Sequence, residues 1–288
     1  MDESPLESSE PGDRYVDFCL WDYAPAAPVA GKLRSVNLLY DSFAVAGVAA
    51  PLRALCEALR RALGPGNTVW GVKLQEGRLF WELYFYDYRR QARALSIARV
   101  LAALSPFARC ALRDPGSRPY FMFSIDLDPA LALGERALDK IDVYLGNPGS
   151  SVSSGICYAM TAGGLRLSNF YFFFDAQLSR ADILDKIVHS AYIDPAAFDP
   201  DSVLWPELRE CTTLVVANKS ACDGVYFTRV GPDQLLGFMH RLGYPADLIA
   251  FAQRHRERLD HLRFDLAFDY RMEGGELRIL KSSYYGYF

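Results

Sequence analysis

Pairs of extended segments separated by helical segments run through the chain, and this order most restricts the folds it can adopt. TVWGVKL and RLFWELYFYDY are joined only by QEG, and strands joined by so short a link pair antiparallel. The 288 residues hold five such pairs, about ten strands. A parallel sheet would need a helix after every strand. Because ten strands in one twisted sheet tend to close, we expect an α+β fold: a ten-stranded antiparallel β-barrel of five hairpins ringed by α-helices, in αββα repeats.

The same alternation places the other elements. Helical spacing of Leu52, Leu55 and Leu59 predicts a helix over residues 45–64, and further helices are predicted over 89–104 and 179–192. FARCAL and PYFMFSIDL are predicted to form the second strand pair across RDPGSR, and the last hairpin covers residues 262–287.

Each predicted strand has two different faces. In FWELYFYD the residues on one face are all apolar, and those on the other are Glu82, Tyr84 and Tyr86. Such a mixed face suits the wall of a ligand chamber, although an open sheet with this face in water is equally compatible with the pattern. In LRLSNFYFFFDA, Phe170, Phe172 and Phe174 would then pack under helices, while Asn169, Tyr171 and Phe173 would face the chamber. Alternatively, all five consecutive rings are core.

Composition restricts the partners and the compartment. A net charge of -4 without a sustained basic run argues against nucleic acid, whose phosphates require clustered cations. No apolar run approaches the length of a membrane span. Residues 1–15 are acidic and rich in Ser and Pro, and we expect a disordered segment there rather than a signal peptide, followed by a single domain over 16–288. The six cysteines lack CxxC spacing and no secretory signal is expected, so we expect reduced thiols in the cytoplasm. We also expect a monomer.

Three stretches carry a resemblance to a known family. YAMTAGGLRLSNFYFFF places Asn169 two positions before Tyr171, ELRILKSSYYGYF places Lys281 before Tyr284 and Tyr285, and SRPYFMFSIDL carries Arg118. With the hairpin order, these stretches resemble the αββα-barrel (ABBA) aromatic prenyltransferases from about residue 40 to the end. The resemblance implies that an allylic isoprenoid moves from its diphosphate to an aromatic or electron-rich acceptor, a small molecule or a peptide, inside the barrel.

This chemistry needs three sets of residues. Cations and hydrogen-bond donors must bind the leaving diphosphate; the candidates are Lys73, Arg118, Lys140, Asn169, Lys219, Arg229 and Lys281. Aromatic rings must shield the allylic cation; the candidates are Tyr84, Tyr86, Tyr120, Tyr144, Tyr171, Tyr226 and Tyr285. A carboxylate must accept the acceptor's proton; the candidates are Glu82 and Asp126.

Two positions depart from the family pattern. Gly224 stands near where some members place an Arg, which leaves Arg229 as the available substitute. Tyr84 stands where some members have a magnesium-binding Asp, so we expect that no cofactor is required and leave magnesium dependence open. Few cationic residues are predicted to face the lumen, where the diphosphate would bind. A second hypothesis therefore stays open: a non-catalytic barrel that binds a hydrophobic or aromatic ligand or a partner protein. A third is an open sheet whose Tyr-rich face meets another chain.

Overall fold

The structure, a computed structural model, describes residues 6–88, 93–113, 119–147 and 152–288. Ten strands form one closed antiparallel barrel, which confirms the predicted fold class. The strands are β1 (Thr68–Gln75), β2 (Arg78–Tyr86), β3 (Met122–Leu127), β4 (Ile141–Gly146), β5 (Ser154–Thr161), β6 (Gly164–Asp175), β7 (Thr213–Lys219), β8 (Asp223–Val230), β9 (Phe264–Glu273) and β10 (Glu276–Tyr287).

The first strand closes the barrel. Gly71 of β1 pairs with Glu82 of β2 on one side and with Tyr285 of β10 on the other. At one end of the barrel, which we call the hairpin end, the chain turns at residues 76–77, 128–140, 162–163, 220–222 and 274–275. At the opposite end, residues 15–23 cross the opening. We call these residues the strap and this end the strap end.

Helices cover the outside of the barrel. Within the described residues they are α1 (Val36–Val45), α2 (Ala49–Leu63), α3 (Ile97–Leu104), α4 (Pro129–Ala132), α5 (Arg180–Val188), α6 (Pro232–Arg241), α7 (Ala246–Arg254) and α8 (Arg256–Leu259). The predicted outer face of β2, with Trp81, Leu83 and Phe85, is buried in the same core as the apolar stripe of α2. None of the helices in the described residues has the length and apolarity needed to span a bilayer.

Two helix predictions need correction. The helix predicted over residues 45–64 is only α2, and Gly47, with φ of 75°, separates it from α1, which the sequence analysis missed. Glycine adopts this left-handed conformation without the steric cost of a Cβ, so the break occurs there. Of the helix predicted over 89–104, residues 89–92 lie outside the described residues and residues 93–96 are not helical. Helix α3 begins at Ile97, where the Ser96 hydroxyl caps the first turn by accepting the Arg99 N–H.

The prediction of a strand at FARCAL is wrong. Only Cys110 forms an isolated bridge, to Leu138, and β3 pairs instead with β2 and with β4. The segment is apolar because Ala108 and Leu112 pack into the core between the barrel and the helices, rather than because it belongs to the sheet. Both ladder positions beside β3 are therefore filled by other strands.

The amino-terminal residues that the structure describes contact the helical layer. Glu7 forms an ion pair with Arg60 of α2 at 2.6 Å, and Asp13 forms one with Arg34 at 2.7 Å. The disorder and the domain boundary expected around residue 15 stay predictions.

Further along the chain, Trp205 lies 4.8 Å from Phe268 between ring centroids and is buried, so the proline-rich segment around it is a packed connection.

Candidate active site

Alternating residues of the strands face the lumen, where five tyrosines form a closed ring. Each phenol ring contacts two others, with centroids 5.9 to 6.5 Å apart. We call this set the tyrosine ring; in order around the barrel its members are Tyr84, Tyr144, Tyr171, Tyr226 and Tyr285. All five were candidates for cation shielding, and the structure brings them together.

The centre of the tyrosine ring lies within cation–π distance of all five phenol rings. In a regular pentagon with sides near 6 Å, the centre lies about 5 Å from each corner, inside the roughly 6 Å range of cation–π attraction. Burial raises the pKa of all five phenols, so each ring stays neutral with its hydroxyl protonated. Gly71 allows the arrangement, because a Cβ there would lie 2.7 Å from Cε1 of Tyr285.

Charged side chains form a second layer, on the hairpin-end side of the tyrosine ring. On β7, β9 and β10, Asp269 bridges two lysines, with 2.6 Å to Lys219 Nζ and 2.9 Å to Lys281 Nζ. We call these three residues the positive side of the layer, since two ammonium groups share one carboxylate. Burial lowers the pKa of Lys281 despite Asp269, and the charge of Lys219 lowers it further. An incoming anion would relieve this excess of positive charge.

Gly224 leaves the space in which Asp269 contacts both lysines. A Cβ at that position would lie 2.8 Å from Oδ1 of Asp269 and 3.2 Å from Cε of Lys219. Lys219, rather than Arg229, therefore fills the space beside Gly224. Burial acts to raise the pKa of Asp269, but the charges of Lys219 and Lys281 outweigh it and hold the pKa at about 2.

On the opposite wall of the same layer, carboxylates outnumber ammonium groups. Asp126 bridges Lys73 at 2.7 Å and Lys140 at 2.8 Å, and Glu82 and Asp142 contact the same lysines. We call these five residues the negative side, since two ammonium groups meet three carboxylates. Burial raises the pKa of Asp142 and outweighs the effect of Lys140. The charges of Asp126 and Glu82 raise this pKa further.

Glu82 connects the charged layer to the tyrosine ring. Its carboxylate accepts hydrogen bonds from the Tyr84 hydroxyl at 2.6 Å and from the Ser124 hydroxyl at 2.6 Å. Ser124 Oγ also lies 3.3 Å from the Tyr144 hydroxyl oxygen. The carboxylate can therefore receive a proton from the ring through a hydroxyl group already bonded to it.

Asn169 and Tyr171 lie beside the positive side. The Asn169 amide donates to the Tyr171 hydroxyl at 2.9 Å, and Asn169 pairs across the sheet with Lys219. As predicted, Tyr171 and Phe173 belong to the lumen cluster, whereas Phe174 packs in the outer core and Phe172 packs against it. The consecutive aromatic residues of β6 thus serve both faces of the barrel wall.

On the strap-end side of the tyrosine ring lies a cavity of about 260 Å³. All five ring tyrosines line it, together with Phe18, Tyr86, Tyr88, Phe121, Met122 and Phe173, and its described lining carries no charged side chain. Asn169 and Lys281 are not in this lining. The lumen is thus divided by the tyrosine ring into an uncharged aromatic cavity and a charged layer.

Two predicted residues, Tyr120 and Arg229, lie outside the cavity and the charged layer, and Arg118 falls outside the described residues. Tyr120 precedes the first residue of β3 and is buried against Phe123 in the core outside the barrel wall. The prediction that Tyr120 faces the lumen is therefore wrong. Tyr86 lines the cavity, with its hydroxyl bonded to the Phe18 carbonyl. Arg229 lies at the strap end, five residues along β8 from Gly224, and pairs with Asp17, far from the four lysines.

Sequence reasoning missed several lumen residues. Asp269 and Asp142 were not among the predicted site residues, although each contacts a lysine. Phe18 was missed because it precedes the first helix. Its signal was the density of aromatic residues in YVDFCLWDY, which lies in the strap. Within the described residues, no group of three or more metal-ligating side chains is arranged to hold an ion.

Comparison with solved structures supports the architecture. The crystal structure of AnaPT from Neosartorya fischeri, an ABBA aromatic prenyltransferase, matches 88% of this chain and 92% of its own with a TM-score of 0.55. The chain has the ABBA-barrel fold. The two sequences are 13% identical, so this likeness concerns the fold. No protein-family model matches the chain, and no curated protein matches it.

Proposed function

We propose that this ABBA barrel transfers an allylic isoprenoid from its diphosphate to an aromatic or electron-rich acceptor. The observation that carries the proposal is the closed ring of five tyrosines lying between a lysine-containing layer and an uncharged aromatic cavity. The diphosphate would lie at the charged layer, the allylic carbons within the ring, and the acceptor in the cavity.

Bond cleavage would be favoured on the positive side of the layer. The allylic C–O bond breaks, its electron pair leaves with the diphosphate, and the carbon chain becomes a cation. Lys219 and Lys281 would donate to the diphosphate oxygens, with Asn169 as an uncharged donor beside them. Lys73 and Lys140 extend the layer, but three carboxylates already surround them. In this proposal the ammonium groups of Lys219 and Lys281 supply the positive charge beside the leaving group.

The tyrosine ring would then protect the cation. Each ring within cation–π range contributes roughly 0.5 to 2 kcal/mol, and five neutral rings surround one point. Water would capture the cation as an alcohol, so the buried phenols also act by excluding water. The cavity lies next to the ring and leaves space for an acceptor to approach the cation from the strap end.

The final step forms a bond from the acceptor to the allylic carbon and releases one proton. Glu82 is the proposed base, because Tyr84 and Ser124 already donate hydrogen bonds to it at 2.6 Å and can pass the proton on. Asp126 is the second candidate, although it is occupied by two lysines. The acceptor's electron pair is consumed in the new bond, so no oxidant or reductant is required.

A second candidate function is binding of a neutral aromatic ligand without transfer. One observation favours it: the cavity has an uncharged lining, while all four lysines of the layer already contact carboxylates. Such a protein would bind a phenol or indole in the cavity but would not bind an allylic diphosphate.

The proposal is tested by incubating the protein with dimethylallyl or geranyl diphosphate and a panel of indoles, phenols and peptides. We expect diphosphate release together with an acceptor product that gains the mass of the isoprenoid. Lys281→Ala should lower the rate by about 100-fold, as expected for loss of one charge-assisted contact to the leaving group. Lys186→Ala, which removes a lysine outside the barrel, is the control. No diphosphate release across the panel would contradict the proposal.

A further inference from the structure

The strap places one of its aromatic side chains inside the lumen. Val16 and Asp22 form an antiparallel bridge, so the residues between them make a tight loop across the opening. At this loop Phe18 lies against Phe173 at 6.5 Å, Tyr226 at 6.0 Å and Tyr285 at 6.2 Å between ring centroids. Phe18 therefore covers the tyrosine ring from the side where an acceptor would lie, although it belongs to none of the ten strands.

The barrel holds the backbone on both sides of this ring. The Phe18 N–H donates to Oδ2 of Asp265 at 2.7 Å, and the Tyr86 hydroxyl donates to the Phe18 carbonyl. The Tyr88 hydroxyl donates to the next carbonyl, that of Cys19, at 2.7 Å. Because these groups lie on β2, on β9 and just beyond β2, the backbone that carries the Phe18 ring cannot leave the opening without breaking hydrogen bonds to separate parts of the wall.

Arg229 completes this attachment. Its Nε donates to Oδ2 of Asp17 at 2.9 Å, and its N–H donates to the same Asp265 that binds Phe18, at 2.9 Å. Arg229 has φ of 60°, beside a bulge in the pairing of β8 with β9. This conformation costs a non-glycine residue about 1 to 3 kcal/mol, and a bulge redirects a side chain. Here the redirected guanidinium points to the strap, so the strained residue has an identifiable partner.

We propose that Phe18 sets the upper size limit of the aromatic ligand in the cavity, and that Arg229 positions it. The proposal rests on the proposed function only in identifying the ligand as an acceptor, since size selection applies to any aromatic ligand. The cavity of about 260 Å³ is small for a ligand site, for which roughly 300 Å³ is the usual lower bound. Removing the Phe18 ring would extend it toward the strap. Trp21 and Tyr88, at 48% and 51% exposure, would form the rim.

The test uses neutral phenols and no diphosphate, so its outcome is independent of whether the protein transfers isoprenoids. Calorimetry would give the affinities of phenol, with one ring, and 2-naphthol, with two, for wild type and Phe18→Ala. We expect the ratio of naphthol to phenol affinity to rise at least tenfold in Phe18→Ala and to return most of the way in Phe18→Leu. Near-ultraviolet circular dichroism would confirm that each variant is folded.

Arg229→Ala should move the same ratio in the same direction, because the strap loses its ion pair, and Arg229→Lys should restore it in part. A merely structural role for Arg229 would lower stability and both affinities without changing their ratio. A ratio unchanged within twofold in folded Phe18→Ala would overturn the inference, as would absence of phenol and naphthol binding in both wild type and Phe18→Ala. The Arg229→Lys measurement decides the role of Arg229 if Arg229→Ala fails to fold.

Discussion

Replacing Asp269 with Asn should strengthen diphosphate binding. Asp269 now occupies the two lysines that we assign to the leaving group, at 2.6 and 2.9 Å. If a diphosphate oxygen displaced the Asp269 carboxylate from the two lysines, the two negative charges would lie about 6 Å apart. Two like charges at that separation repel by about 3 kcal/mol at an effective dielectric constant near 20. Removing the carboxylate charge should therefore raise the affinity for inorganic diphosphate by about 100-fold.

The same substitution should destabilise the unliganded protein. Lys219 and Lys281 would be left buried without a counter-ion, which costs about 3 to 5 kcal/mol when one partner of a buried pair is removed. Bound diphosphate would supply the missing charge. We therefore expect the unfolding temperature of Asp269→Asn to start below that of wild type and to rise more steeply with diphosphate concentration.

Asp126→Asn is the matched control, because Asp126 also bridges two lysines at nearly the same distances, 2.7 and 2.8 Å. Glu82 and Asp142 remain beside those lysines, so the gain in diphosphate affinity should be at least tenfold smaller. The assay is isothermal titration with inorganic diphosphate, combined with thermal unfolding. Equal gains in the two variants, or a loss of affinity in Asp269→Asn, would refute the division of the charged layer into two sides.

Three further substitutions test other parts of the structure. Tyr171→Ala opens the tyrosine ring, so it should abolish ligand binding in titrations while the protein stays folded; if it only unfolds the chain, the ring is structural. Gly71→Ala should displace Tyr285 and lower transfer activity at least tenfold, whereas Gly237→Ala, with no atom within 4 Å of the new Cβ, should not. Burial lowers the pKa of His261 to about 4, so the folded state disfavours its protonation and should lose up to about 3 kcal/mol of stability as the pH falls from 6.5 to 4. His261→Gln should remove that part of the pH dependence of denaturant unfolding, and an unchanged dependence would contradict it.

Local sequence patterns were sufficient for antiparallel strand pairs and for the facing of the strands, whereas an open sheet was equally compatible with the same patterns. Alternation at period two separated Trp81, Leu83 and Phe85 from Glu82 and Tyr84, and the structure buries the two sets on opposite sides of the wall. The short links between strands then dictated antiparallel pairing. These properties depend on neighbouring residues, so they can be predicted without knowing the register between distant strands.

The pairing of charges in the lumen could not be predicted in this way. Lys73, Glu82 and Asp126 meet because β1, β2 and β3 pair in a particular register, and a shift by two residues would change every partner while keeping each face. Arg229 illustrates the same limit, since a bulge rather than the strand alternation determines where its side chain points. The contribution of Phe18 depends on the strap crossing the barrel opening, which no periodic pattern records.

The most direct test of the account is the binding of a non-hydrolysable dimethylallyl thiolodiphosphate, measured by calorimetry. We expect one molecule to bind per chain, with little or no binding to a Lys219→Met, Lys281→Met double variant, because the diphosphate is held on the positive side of the charged layer. Binding of a neutral phenol without any binding of the thiolodiphosphate would contradict the transferase account and leave the lumen as a site for neutral aromatic ligands.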